Sequence, residues 1–189
     1  EVWTDRPALV HQPADVLKDE FNGEATASKL ARVREQMEKE EAQYHIISTL
    51  DDIAWILNVR GNDIPHVPVV LSFLVIGKED AMWFVEENAL SDAVKEMAAE
   101  CGITIRPYED VYAYAATIPE KVNYRITNAL SETVHIVSKA NPSQLMKSIK
   151  NEIELENTRK AHLLDGIAVT KFMYWLKKNV GKIPMDEVS

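Results

Sequence analysis

The chain has 189 residues, 46% of them hydrophobic and 27% charged, with a formal net charge of -9; that is enough for one buried core with an appendage. The acidic balance argues against a nucleic-acid surface, which needs clustered Lys and Arg, and no apolar run reaches the ~18 residues of a bilayer span. The single cysteine, Cys101, leaves no internal disulfide or Cys-rich metal site and fits a reducing, cytoplasmic setting.

In chain order, residues 1–27 carry two prolines and little periodicity and read as an extended linker. "SKLARVREQMEKEEA" then places Leu30, Val33, Arg34 and Met37 at helical spacing, with Ser28 as the expected N-cap. "YHIIST" is a short β-branched run, predicted as a buried strand. "LDDIAWILN" is a helix with Asp51 and Asp52 at its electropositive start. Beyond a Pro- and Gly-containing loop, "PVVLSFLVIG" and "AMWFVEE" flank the polar "KED" as an antiparallel hairpin. "NALSDAVKEMAAECG" is a helix stopped by Gly102, "ITIRPY" a strand and "EDVYAYAAT" a short helix. This order predicts an α/β fold, a mixed sheet flanked by helices.

After Thr117 the alternation breaks. "PEKVNYRITNAL" reads as helical with Pro119 in its first turn, where a strand is due, and residues missing near Thr117–Pro119 would explain the gap. "VHIVS" is a last strand, and "NPSQLMKSI" a helical turn with Pro142 at its first position. The segment from Asn151 to Gly181 has no proline until Pro184 and ends in the basic "KKNVG", which predicts one long helix. Its Leu164, Phe172, Trp175 and Leu176 exceed what a solvent-facing helix should carry and form a candidate interface. With a first residue other than Met and a turn-like "GKIPMDEVS" at the other end, the sequence reads as a piece of a longer polypeptide.

The search for chemistry is mostly negative. The six glycines are too scattered for a phosphate-binding loop, no G-x-S-x-G elbow occurs, and Cys101 at a helix end reads as packed rather than nucleophilic. Glu156, His162 and Asp165 share one stretch of the long helix, but a solvated face with an i,i+4 Glu156–Lys160 pair accounts for them better than a partial metal site. The adjacent Asp51 and Asp52 point about 100° apart on a helix, so dipole stabilisation is preferred to acid/base work. The loop "RGNDIPHVPVV" is the exception. Gly61 is the expected left-handed helix stop, and Pro65 and Pro68 enforce extended backbone, but Arg60, Asn62, Asp63 and His66 exceed what a turn requires. They form the candidate interdomain or substrate-access loop, against the plainer reading of a local Arg60–Asp63 ion pair.

The stretches "DRPAL", "SKLARVREQM", "TLDDIAWILNVRGNDIPHVPVVLSFLVI" and "LMKSIKNEIELENTRKAHLLDGIAVTKFMYWL" resemble the three-domain, cytosolic Xaa-Pro aminopeptidases (aminopeptidase P) along essentially the whole chain. "LDDIAWILNVRGNDIP" is the specific part of the match. The resemblance implies a linker over 1–27, a creatinase-like, ribonuclease H-like noncatalytic domain over 28–149, and the first helix of a pita-bread metallopeptidase domain over 150–189. It further implies a parent hydrolase that removes the residue preceding a proline at the second position of a peptide. Two divalent ions, manganese or in some members zinc, activate the water there. The family's ligands, two Asp, one His and two Glu, match no position here. The expectation is therefore no catalytic residue, metal ligand or bound cofactor in this chain, partners in the remaining domains, a homo-oligomer, and no nucleic acid or membrane. The alternative from another class is a stand-alone creatinase-like scaffold module. A parent of the prolidase or creatinase type is a third reading, disfavoured because "DRPAL" points to a preceding domain.

Overall fold

The computed structural model describes residues 9, 11–118, 122–123, 136–137 and 140–186. It divides into two compact units, residues 1–149 and 150–189.

The first unit is built on a six-stranded mixed sheet. Its strands are β2 (Tyr44–Ile47), β4 (Ser72–Gly77), β5 (Ala81–Val85), β6 (Ile103–Arg106), β7 (Val122–Asn123) and β8 (Ile136–Val137), in the order β6-β5-β4-β2-β7-β8. β4 runs antiparallel to both neighbours, while β5–β6, β2–β7 and β7–β8 are parallel pairs. β4 and β5 read as near-continuous apolar runs because helices cover both faces of the sheet. Successive side chains alternate between the faces. Leu74, Ile76, Ala81, Trp83 and Val85 join the larger core with Leu30, Val33, Ile56 and Val94 from the helices α2 (Thr26–Lys39), α3 (Leu50–Leu57) and α4 (Asp92–Glu100). Val75 and Phe84 point the other way, to Val111, Ala115 and Ile118 in and just after α5 (Val111–Ala115). The β4–β5 hairpin is clamped from outside its strands: Arg34 of α2 donates to the carbonyls of Gly77 and Asp80, each at 3.0 Å.

Several sequence expectations need correction. Residues 11–27 are not a free linker: β1 (Asp15–Val16) pairs antiparallel with β3 (Val59–Arg60), Ala14 is buried, and α1 (Asp19–Asn22) follows. A two-residue strand has no periodicity to reveal it. α2 starts at Thr26 with Ala25 at its N-cap, and Ser28 sits inside the helix, its hydroxyl donating to Glu24 at 2.8 Å. The stretch predicted as a helix after Pro119 holds β7 at Val122–Asn123, the strand that the alternation required; the rest of that stretch lies outside the described residues. β8 falls within the predicted "VHIVS" strand.

α6 (Pro142–Ser148) starts behind an Asn141 cap that accepts from the Ser143 amide at 3.2 Å. The second unit is α7 (Glu152–Asn179), one 28-residue helix opened by a reciprocal Asn151–Glu154 capping box. It ends near Lys177 and Lys178, with Gly181 in the left-handed region at φ 76°. α7 buries none of its residues.

Candidate functional site

The loop after α3 divides into a structural half and a presented half. α3 ends at Asn58, whose φ of 53° is the left-handed stop expected of Gly61. Gly61 is instead needed for close approach, since a Cβ there would lie 2.8 Å from a Val70 methyl and 3.2 Å from the Val69 carbonyl oxygen.

The last carbonyls of α3 lack partners within the helix and attract donors and cations. The Arg60 guanidinium donates to Ala54 O at 2.6 Å and Val59 O at 3.0 Å. Lys29, 1% exposed, donates to Trp55 O at 2.9 Å and Asn58 Oδ1 at 2.6 Å, with its ammonium 4.4 Å from the Trp55 ring centre. The Thr26 hydroxyl donates to Leu57 O at 3.0 Å. Arg60 thus does the work of a helix cap.

Asp63 is a clamp. Its Oδ1 accepts from the Gln12 amide at 2.6 Å, and its Oδ2 accepts from the Leu71 amide at 2.7 Å and lies 3.7 Å from His11 Nδ1. One carboxylate ties the N-terminal segment to both ends of the loop. The plainer sequence reading paired Asp63 with Arg60; the carboxylate's acceptor capacity goes to backbone amides instead.

Between these anchors Asn62, Ile64, Pro65, His66 and Val67 are exposed. Ile64 to Val67 closes a tight turn, with Val67 N donating to Ile64 O at 3.1 Å, Pro65 second and His66 third at φ 65°. This is a type II arrangement, whose third position favours glycine. A histidine there costs about 1 kcal/mol of backbone strain. The turn therefore holds an imidazole outward between two exposed apolar side chains.

A second cluster, which no local pattern signals, gathers at the other end of α3. Asn141 Oδ1 accepts from the Ser143 amide and hydroxyl, so its Nδ2 faces Asp52 Oδ2 at 2.8 Å. That orientation makes buried His45 the donor at 3.0 Å through Nε2. Burial pushes the His45 pKa down, partly offset by the Asn141 hydrogen bond and the Asp52 charge. Thr49 Oγ1 donates to Asp52 Oδ2 at 2.5 Å, Lys147 pairs with Asp52 at 2.8 Å, and Lys147 also pairs with Asp51, holding that carboxyl below its usual range. The adjacent aspartates are a helix start tied to α6, as the dipole reading holds, and Asp52 is also the buried hub.

On α7, Leu164, Phe172 and Trp175 are exposed and Leu176 is half-buried. Phe172 and Trp175 stack with ring centres 6.3 Å apart. Glu156 pairs with Lys160 at 2.7 Å. Among the described residues no three His, Cys, Asp or Glu side chains converge as a metal site would require.

The mixed sheet covered on both faces, with an anchored loop beyond its first buried helix, defines a creatinase-like α/β domain. A sequence profile of the Creatinase/Prolidase N-terminal domain matches residues 5–154, and the chain belongs to that family. It is 35% identical to a probable Xaa-Pro aminopeptidase P of Neurospora crassa over 99% of this chain and 30% of that protein. It is 37% identical to Xaa-Pro aminopeptidase 1 of Dictyostelium discoideum over 87% of this chain and 27% of that protein. Among solved structures it superposes on the X-prolyl aminopeptidase of Caenorhabditis elegans, described as a cytosolic enzyme with a di-nuclear active site. The TM-score is 0.81 at 29% identity, covering 94% of this chain and 31% of that one. The prolidase of Pyrococcus horikoshii shares the fold at a TM-score of 0.51 and 20% identity, over 75% of this chain and 41% of that one. The chain spans about three tenths of the length of the curated relatives it matches.

Proposed function

We propose that this chain is the noncatalytic middle domain, with the opening helix of the catalytic domain, of a cytoplasmic Xaa-Pro aminopeptidase. The observation that carries the reading is the likeness to aminopeptidases along nearly the whole chain, at about three tenths of their length. Hydrolysis of the bond before proline then belongs to a domain outside this chain, where a pair of divalent ions, manganese or zinc, supplies the activated water.

What this chain contributes is placement. Arg60 and Asp63 fix the base of the loop, so Asn62 and His66 meet a neighbouring domain or the substrate entrance as a rigid element rather than a flexible one. In this reading the noncatalytic domain takes in the segment from residue 11 that pairs through β1, and the catalytic-domain helix begins at about residue 150. The exposed α7 residues Leu164, Phe172 and Trp175 are covered by the rest of the catalytic domain, or by a second subunit when that is absent.

The test compares the parent-length protein with this chain, each supplied with Mn2+ and a tripeptide with proline second. Activity in the long protein alone supports the reading; activity in neither under several metals favours a scaffold module, and activity in this chain overturns it. In the active protein, His66→Ala should raise KM and leave the folding midpoint in place.

A further inference from the structure

α6 is fastened by a polar knot more than by apolar packing. Leu145 within it and Ile149 just after it are 68% and 69% exposed, so neither grips the domain, and Met146 packs partly against the core. The knot is tied at both ends of the helix. Asn141 at the N-cap accepts from His45 Nε2 at 3.0 Å and donates to Asp52 at 2.8 Å, and Lys147 pairs with Asp51 and Asp52. A short helix held in this way is a candidate for opening by itself while its unit stays folded.

His45 is the member of the knot that α6 itself keeps dry. The residue is 3% exposed. It lines a cavity of about 410 Å³ between α2 and α6, together with Met37 from α2 and Asn141, Leu145 and Met146 from α6 and its cap. Lifting α6 removes one side of that cavity and puts the imidazole in water, while the strand that carries His45 stays paired in the sheet.

The charged groups around this imidazole come from three elements. α3 supplies Asp52, whose charge favours an imidazolium in place and is already paired with Lys147 of α6. α2 and its C-cap supply Arg32, Glu35 and Glu40, which line the same cavity. Burial outweighs the rest: it pushes the His45 pKa down, ahead of the Asn141 hydrogen bond and the Asp52 charge that raise it. An attached α6 therefore refuses a proton that a released α6 accepts, and release is favoured as pH falls below about 6.5. The Lys147–Asp51 pair persists there, since the Lys147 hydrogen bond holds the Asp51 carboxyl below its usual range.

We propose that α6 is a proton-released strap: as His45 takes up a proton, α6 lifts from α3 and β2 while the sheet and the other helices of its unit stay folded. Because α6 ends at Ser148 and its unit at Ile149, release turns seven helical residues into connecting chain ahead of α7. The test is amide hydrogen exchange on the full 189-residue chain at pH 7.5 and pH 5.5, about one unit either side of the ordinary histidine value, each normalised to the exchange of an unstructured peptide. The amides of Gln144 and Ile149, which bond to the Asn141 and Leu145 carbonyls, should lose protection by about five- to tenfold at the lower pH, and the amides of β4 and β5 should keep theirs. In His45→Gln, whose side chain can still donate to Asn141 but does not titrate, α6 should be equally protected at both pH values; His162→Gln, a change at an exposed histidine of α7, should keep the loss. If His45→Gln does not fold, the unaltered chain decides by NMR, where the His45 ring resonances and the α6 amides must change over the same pH interval. Unchanged α6 protection, an equal loss in β4 and β5, an equal loss in the His45→Gln chain, or separate pH intervals for ring and amides would overturn the proposal.

Discussion

α3 and α7 both carry large apolar side chains, and these meet opposite fates. α3 is eight residues long and buries Asp52 to Leu57 without a break, whereas α7 is 28 residues long and buries none. Composition and partners both separate them: α3 is apolar after its two aspartates, whereas α7 carries charged residues along its whole length. α3 is held between the sheet, α2 and α6, with its C-terminal carbonyls taken by Lys29, Arg60 and Thr26 and its N-terminal carboxylates taken by Lys147 and Asn141. α7 is stabilised from within, by its capping box, a basic last turn and the Glu156–Lys160 pair. A helix that depends on tertiary partners should be sensitive at its ends, and one that depends on itself should tolerate changes on its surface.

The largest effect is expected at Lys29. Lys29→Met keeps the side chain's bulk and removes the donor, stranding the buried Trp55 carbonyl and Asn58 amide oxygen; urea unfolding should show a loss of about 3 kcal/mol. Asp63→Asn is next, because an amide has one acceptor oxygen and Asp63 uses both of its oxygens for backbone N–H groups. A loss of about 2 kcal/mol is expected, with the 11–16 segment exchanging its amide hydrogens faster. Gly61→Ala forces a methyl against Val70 and the Val69 carbonyl and should cost about 1–2 kcal/mol, a steric cost, since Gly61 is absent from the positive-φ residues.

At the other end of α3 the test is pH. The folded-state pKa of His45 lies below its ordinary value near 6.5, so below that pH the unfolded chain takes up a proton that the folded chain refuses. This contribution to stability is fully present above pH 6.5 and is lost as pH falls from there toward the folded pKa. The difference in unfolding free energy between this protein and His45→Gln should shrink as pH falls from 6.5; a pH-independent difference would mean that folding leaves the His45 pKa unchanged. The smallest effect belongs to α7: Phe172→Ser should change the stability of this chain by less than about 0.5 kcal/mol, because Phe172 is already 55% exposed. The same change in the parent-length protein should cost several times more if the catalytic domain covers it, a contrast readable from paired melting curves.

Elements whose signal is periodic were legible from residues alone. The strands β2, β4, β5 and β6 and the helices α2 to α5 fall where alternation, apolar stripes and polar interruptions place them, because each of those patterns is local. β1 and β7 were missed since two residues carry no period, and they exist only through pairing, β1 with β3 and β7 with β2 and β8. In the loop, the sequence identified unusual residues without assigning them. Arg60 and Asp63 proved to be a helix cap and a clamp, roles set by carbonyls and amides up to 51 residues away.

The sequence by itself determined the family, the order of elements and the apolar excess of α7, since motif identity and periodicity need no partner. Only the tertiary structure decided that Asn58 rather than Gly61 stops α3, that His66 is held outward in a left-handed turn, and that His45, Asp52 and Asn141 meet at all. Asp52 and Asn141 are 89 residues apart in the chain. A contact of that kind leaves no local pattern; it arises when burial removes water and each polar group must find its partner across the fold.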